Sequence, residues 1–186
     1  MTIPYYFISV PRVASNSVHT ALQSNTRMYN HATASHMVEL VGRKAWDKAF
    51  TFGGVRHPLD RLVSWFKWCN KVKAGMDVSL NFEQWLKEGC PHTMELMGYH
   101  PGPGWSISLC DFLCDKAGNL LVDFVYRYEH LQQDFNQICR RIGRKPAKLP
   151  RMSESGRKVG YRQWYTPKLR TLAEDICRKD LEMFYP

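Results

Sequence analysis

The sequence has no run of about 18 apolar residues, so no segment reads as a membrane-spanning helix. Its first residues lack a basic stretch followed by an apolar core, so none reads as a secretory leader. Internal repeats and low-complexity tracts are missing too, which sets aside arrays and biased linkers. Paired CxxC knuckles are absent. Six cysteines are scattered at Cys69, Cys90, Cys110, Cys114, Cys139 and Cys177. Cys110-x3-Cys114 and Cys90-Pro-His92 come nearest to a ligand set, and neither has the spacing of a zinc site, so no metal is expected. With no export signal and many aliphatic residues, reduced and partly buried thiols are expected rather than a disulfide framework. The pattern GxxxxGK[ST] is absent, which counts against a nucleotide kinase built on the ordinary phosphate loop. No groove-reading module and no cluster of base-reading aromatics occurs, which counts against a nucleic-acid binder.

Acid is scarce as well: 17 Asp and Glu face 26 Lys and Arg, a net charge of +9. Such a surplus points to an anionic partner, whether nucleic acid, phosphorylated cofactor, acidic glycan or membrane surface, without choosing among them. What is present suits one folded domain over residues 1–186, with 44% hydrophobic residues to build a core.

Apolar runs at Tyr5–Val10, Lys48–Arg56 and Leu120–Tyr126 read as buried strands. Gly53 and Gly54 interrupt the second and suggest a bulge. Between the strands, helical spacing recurs. Asn16 or Ser17 is placed to cap a helix reaching about Ser24, and Ser35 a short one carrying Met37, Val38, Leu40 and Val41. Pro58 suits the first turn of a helix with Leu59, Leu62, Val63 and Phe66 inward, and Trp65–Phe66 is expected in the core. Phe82–Leu86 reads as a short helix and Tyr99–Ser106 as a loop. Leu131, Phe135, Ile138 and Ile142 mark a helix stopped by Gly143. The loop Arg144–Gly160 holds six basic residues and one acid. Thr166 and Pro167 open a last helix through Leu169, Leu172, Ala173 and Ile176. Strands alternating with helices predict an α/β fold, a single domain with a central, largely parallel sheet flanked by helices.

Such folds bind ligands where strands end and helices begin. The stretch "VPRVASNSVHTAL", Val10–Leu22, is a junction of this kind: a strand end, one cation and a small-residue turn opening a helix. Unused backbone N–H groups and the helix dipole there make a phosphate cradle.

This stretch resembles the 5′-phosphosulfate loop of the sulfotransferases that use PAPS (3′-phosphoadenosine 5′-phosphosulfate). "FTFGGVRHPLDRLVSWF", Phe50–Phe66, resembles their 3′-phosphate segment, with Arg-x-Pro-x-x-Arg-x-x-Ser beginning 44 residues after Arg12. "LLVDFVYRYEHLQQDFNQIC" resembles their third strand and the helix after it, and "YRQWYTPKLRTLAEDICRKDLEMFYP" their closing helix. "NHATASHMVELVG" resembles the segment between the two cofactor motifs in the carbohydrate O-sulfotransferase branch. The likeness runs from about Phe7 to Tyr185 and is weakest over Lys71–Trp105. The order and spacing of the motifs are more specific than any one of them.

The resemblance implies PAPS as co-substrate, PAP as product, and a hydroxyl acceptor, a carbohydrate in this branch. It places Arg12, Val13, Ala14, Ser15, Asn16 and Ser17 in a P-loop-like turn around the 5′-phosphosulfate. It gives Arg56 and Ser64 to the 3′-phosphate, and Arg157, Lys158 and Tyr161 to a basic segment closing over the cofactor. Arg12 and His31 become the catalytic pair: the cation faces the leaving group and the imidazole is the base, with His36 and Glu39 behind it. Asp60 and Arg61 are expected in structural ion pairs. Arg12 stands where the family has lysine, Ser15 where it has glycine and His57 where it has Asn or Asp. The first strand begins five residues from Met1, so no anchor or stem is expected, and a soluble cytoplasmic protein of a bacterium or virus fits this layout.

Overall fold

Three of the apolar segments pair into one sheet. Strands β1 (Tyr5–Ile8), β2 (Phe50–Val55) and β3 (Phe124–Arg127) lie in the order β1-β2-β3 with both pairs parallel. The computed structural model describes residues 3–23, 31–72, 80–91, 107–150, 152 and 159–186. The chain divides into two compact units, Met1–Arg56 with Leu109–Ser153, and His57–Ser108 with Glu154–Pro186.

The first unit is the α/β body expected from the sequence. Its helices are α1 (Ser15–Leu22), α2 (Ala34–Val41), α3 (Arg43–Trp46), α6 (Leu109–Leu113) and α7 (Leu131–Arg141). Neighbouring strand residues face opposite sides of the sheet. Phe7 stacks on Phe52 at 5.0 Å and meets His19 of α1 at 4.6 Å. Tyr6 stacks on Trp46 of α3 at 5.5 Å. Helices thus cover both faces, as a parallel sheet requires. Phe52 and Tyr126 are fully buried, and each such ring contributes about 1.5–3 kcal/mol by leaving water.

The second unit is helical. It holds α4 (Pro58–Val72), α5 (Phe82–Lys87), a 3-10 turn (Tyr161–Trp164), α8 (Pro167–Ile176) and α9 (Arg178–Phe184). Phe66, Phe82, Trp85, Trp164 and Tyr165 interlock through ring contacts of 5.3–6.1 Å. Leu59, Leu62, Val63 and Trp65 are buried, as their spacing predicts. All six cysteines of the chain are buried thiols. Burial pushes Cys177 up to about 12, so it stays protonated at neutral pH.

Several boundaries differ from the sequence reading. Helix α1 starts at Ser15, with Ala14 rather than Asn16 or Ser17 as the residue before it. Thr33, not Ser35, caps α2: its hydroxyl accepts the His36 N–H at 3.2 Å. Gly53 and Gly54 form no bulge, because Phe52, Gly53, Gly54 and Val55 pair in unbroken register with Phe124, Val125, Tyr126 and Arg127. They are needed for space. A Cβ on Gly54 would fall within 3.0 Å of the Tyr126 ring, and one on Gly53 within 3.0 Å of Leu113. The third strand is shorter and later than Leu120–Tyr126. Leu120 makes an isolated bridge to Cys114, and at Asp123 the ladder is half backbone, the Asp123 N–H donating to Thr51 O at 3.0 Å, and half side chain. The Asp123 carboxylate accepts from the Thr51 N–H and hydroxyl, both at 2.8 Å. Helix α7 ends at Arg141, where Gly143 (φ 73°) turns the chain and the Arg144 N–H reaches back to Cys139 O at 2.8 Å. The last helix is two, divided at Cys177. Helix α6 was not foreseen, because five residues carry too little periodicity. The loop Tyr99–Ser106 lies outside the described residues.

Candidate functional site

Parallel strands put all their carboxyl ends at one edge, and the residues singled out in the first unit gather there. The turn after β1 carries the most unusual backbone. Arg12 (φ 66°) and Ala14 (φ 67°) are both left-handed, which costs a non-glycine residue on the order of 1 kcal/mol. Such a conformation persists where neighbours hold it. Ser15 Oγ donates to Val10 O at 2.5 Å, closing a ring around the turn. Arg56 Nη1 donates to Arg12 O at 3.3 Å. Val13 is fully buried, so its side chain anchors the turn and leaves backbone to line it.

Helix α1 begins directly after the second left-handed residue. It has no side-chain cap and no acid in its first turn. Its leading N–H groups therefore keep their capacity for an anion, and the dipole places about half a positive charge there. Asn16 is exposed at this end, while Ser17 is buried and its N–H bonds Ala14 O at 3.0 Å. Ser15 stands where glycine was expected. Its hydroxyl points inward, to Val10 O and to within 3.5 Å of the Tyr126 hydroxyl, so it does not crowd the turn. Burial pushes the Tyr126 phenol well above its ordinary value, so it remains a neutral hydrogen-bonding group.

His31 returns to the same edge. Its Nδ1 lies 2.7 Å from Ser9 O, one residue beyond β1. A carbonyl only accepts, so in the neutral ring Nδ1 carries the proton and Nε2 the lone pair. The backbone there is also left-handed (φ 67°). Two residues later Thr33 opens α2, which holds the imidazole between a strand end and a capped helix. His36 and Glu39, the reserve candidates, are exposed on α2.

Arg56 follows β2 and is only 4% exposed. Its guanidinium carbon sits 4.0 Å from the centroid of Tyr128, in the 3-10 turn Tyr128–His130 after β3. A buried cation held on an aromatic face and a carbonyl is pre-organised for an anion. The sequence reading missed Tyr128, Tyr126 and Gly54. Tyr128 had a usable signal, since it falls at the end of the third strand. The meeting of Gly54 with Tyr126 had none, because it joins residues far apart in the chain.

The second unit holds the rest. Ser64 is 1% exposed in α4, two turns in. Tyr161 opens the 3-10 turn, its ring 5.1 Å from His57 and under the Arg162 guanidinium at 5.9 Å. Asp60 and Arg61 are buried, and Arg61 Nη1 donates to Ile107 O. Arg157 and Lys158 lie outside the described residues.

The first-unit cluster fits a phosphate-bearing ligand: an uncapped helix start, a turn free of acid, a buried guanidinium and a tethered imidazole. A family model described as the sulfotransferase family matches residues 5–186. No curated protein and no solved structure matches the chain. The chain thus belongs to the sulfotransferase family, whose shared chemistry is the transfer of a sulfuryl group and whose members generally take it from PAPS.

Proposed function

We propose that residues 1–186 act as one catalytic domain that moves the sulfuryl group of PAPS to a hydroxyl, on a carbohydrate acceptor. The observation that carries this reading is the gathering at the end of β1. Left-handed Arg12 and Ala14, the uncapped start of α1, the His31 imidazole and the Arg56 guanidinium are all tied to Ser9–Ser15. PAPS, when bound, supplies a sulfuryl group on a phosphate leaving group.

The protein's own groups then have defined tasks. The turn Arg12–Ala14 and the first N–H groups of α1, at Ser15 and Asn16, would surround the 5′-phosphosulfate, with Ser17 assigned to it by its place in the motif. Donors already aimed at that place stabilise developing negative charge without reorganising. Arg12 adds a full positive charge at the mouth of the turn. His31 takes the acceptor hydroxyl's proton at Nε2, and its Nδ1–H bond to Ser9 O keeps the ring in the basic tautomer. Arg56 binds the 3′-phosphate, and its stacking on Tyr128 holds the guanidinium plane. Ser64 is assigned to the same phosphate, and Arg157, Lys158 and Tyr161 to closing over the nucleotide, by their places in the sequence motifs.

The deciding experiment compares PAP, AMP and ATP-Mg as ligands of the wild type and of Arg56→Ala by calorimetry. PAP should bind best, and the variant should lose the charge-assisted bond, about 10- to 150-fold in affinity for PAP with little change for AMP. Equal binding of PAP and AMP by the wild type, or preference for ATP-Mg, would overturn the reading.

A further inference from the structure

The second unit holds a group of rings that the proposed chemistry leaves unused. His57 stands just before α4, and its carbonyl accepts the Arg61 N–H at 2.9 Å, so its backbone is fixed by the first turn of that helix. Its imidazole is half-buried and meets two tyrosines. The Tyr161 ring lies 5.1 Å away at 32°, and the Tyr185 ring 5.2 Å away at 55°. A tilted ring contact of this kind is worth about 2- to 13-fold in an equilibrium. Tyr185 is itself secured. Its N–H bonds Leu181 O at 2.8 Å, and its neighbour Phe184 is buried.

The turn that Tyr161 opens is held differently at its two ends. The far end is fastened by several contacts. Trp164 meets Phe66 of α4 at 6.0 Å and Phe82 of α5 at 5.4 Å, and the Tyr165 hydroxyl donates to Leu59 O at 2.7 Å. The near end has fewer. Tyr161 is half-buried at the margin of the core. Among the described residues, the ring that meets it from another element is that of His57. Arg162, its neighbour in the turn, lies 5.9 Å from the same ring and is exposed. Backbone bonds within the turn are long: Gln163 N–H to Gly160 O at 3.2 Å and Tyr165 N–H to Arg162 O at 3.3 Å. A half-buried side chain without such support samples several rotamers, and ordering it when a ligand arrives costs about 2- to 13-fold in affinity.

We propose that His57 is a positioning residue for nucleotide binding: backed by Tyr185, it fixes the Tyr161 ring before the nucleotide arrives. The ordering cost is then met in the free protein. The proposal rests on the assignment of Tyr161 to the nucleotide and deepens it. His57 follows Arg56 directly in the chain, so one short stretch supplies the cation for the 3′-phosphate and orders the group assigned to close over the nucleotide. The imidazole acts here by its shape, so a ring without nitrogens serves as well.

The test combines calorimetry with PAP, steady-state turnover and amide exchange. Asn suits the position before a helix, so H57N keeps α4 while removing the ring. It should lose about five- to tenfold in PAP affinity and raise KM for PAPS by a similar factor, with kcat within about twofold. H57F should stay within about twofold of the wild type, and Y185L should lose about two- to threefold. H57N/Y161A should bind PAP no worse than Y161A, because His57 acts through Tyr161. Exchange at Gln163 and Tyr165 should quicken in H57N and not in H57F, while α4 exchanges as in the wild type. The proposal falls if H57N binds PAP like the wild type, if H57F is as weak as H57N, or if the losses in H57N and Y161A add. Unchanged exchange in the turn of H57N sinks it equally. A wild type that does not bind PAP overturns the sulfuryl-transfer reading instead, and exchange in the turn then decides whether His57 orders Tyr161.

Discussion

The two edges of one small sheet handle positive charge in opposite ways. At the carboxyl edge the charge is buried and fixed: Arg56 is 4% exposed, set on Tyr128 and bonded to Arg12 O. At the amino edge Arg140 and Lys145, either side of the turn that closes α7, are exposed. Burial makes a cation costly unless an anion or an aromatic face meets it, so a buried guanidinium selects a ligand of defined size. An exposed cation is screened and mobile, and it selects only for sign. Backbone follows the same division. Left-handed residues Arg12, Ala14 and His31 cluster at the carboxyl edge, whereas at the amino edge the Asp123 carboxylate takes the Thr51 N–H and hydroxyl.

The sharpest test of this contrast is His31→Ala. If the carboxyl edge is the reactive one, turnover should fall about 10²–10⁴-fold while PAP affinity stays within a few-fold. His36→Ala should do much less, since His36 is exposed and contributes a backbone N–H to the Thr33 cap. Single-turnover assays with labelled donor separate the two. If His36→Ala abolishes turnover and His31→Ala does not, the base is misassigned by about one helical turn at the start of α2.

Gly54→Ala tests how far the edge depends on the packing beneath it. The added methyl would overlap the Tyr126 ring, whose hydroxyl lies against Ser15. The ring has no room to retreat in a fully buried position, so about 1–3 kcal/mol of stability should be lost. Urea unfolding measures it. The displaced Tyr126 should also disturb the turn, so PAP affinity should fall in the fraction that remains folded. A variant as stable as wild type would mean that Tyr126 swings aside freely.

At the other edge, Asp123→Ala should cost a similar or slightly smaller amount, about 1–3 kcal/mol, because it strands the Thr51 N–H and hydroxyl. Its signature should differ: lower stability with unchanged turnover per folded molecule. A drop in turnover at saturating PAP would erase the distinction between the edges.

These cases also mark what could be read without coordinates. Apolar runs and punctuating Pro and Gly located the three strands and most long helices, because those signals are local and periodic. The position of Arg12 and Arg56 at strand ends was legible for the same reason. The pair Gly53-Gly54 suggests a bulge by sequence alone, since glycine in a strand signals either a bulge or a close approach, and only the partner ring decides. Leu120–Tyr126 reads as one strand because every position but Asp123 is apolar or aromatic. The Asp123 carboxylate substitutes for ladder bonds at its start, and composition does not reveal that. Left-handed turn residues are most often glycine, and here they fall on Arg12 and Ala14, where tertiary bonds hold them.

Capping gives the smallest effect and the most direct check on that last point. Both Thr33 and Ser35 are short hydroxyl residues near the start of α2, and Ser35 is the better placed by apolar spacing. In the structure Thr33 has extended backbone (φ −73°, ψ 161°) and accepts the His36 N–H, whereas Ser35 lies in the first turn with its hydroxyl 3.4 Å from Cys114 O. A cap is worth about 0.5–2 kcal/mol, and a weak first-turn serine bond a few tenths. Thr33→Ala should therefore destabilise by about 1 kcal/mol and Ser35→Ala by less than half of that in urea titrations. Thr33 also lies two residues from His31, so its loss should loosen the imidazole and lower turnover modestly at unchanged PAP affinity. If Ser35→Ala proves the costlier change, α2 begins later than described, and the segment holding His31 to Ser9 O is longer and looser than a fixed general base requires.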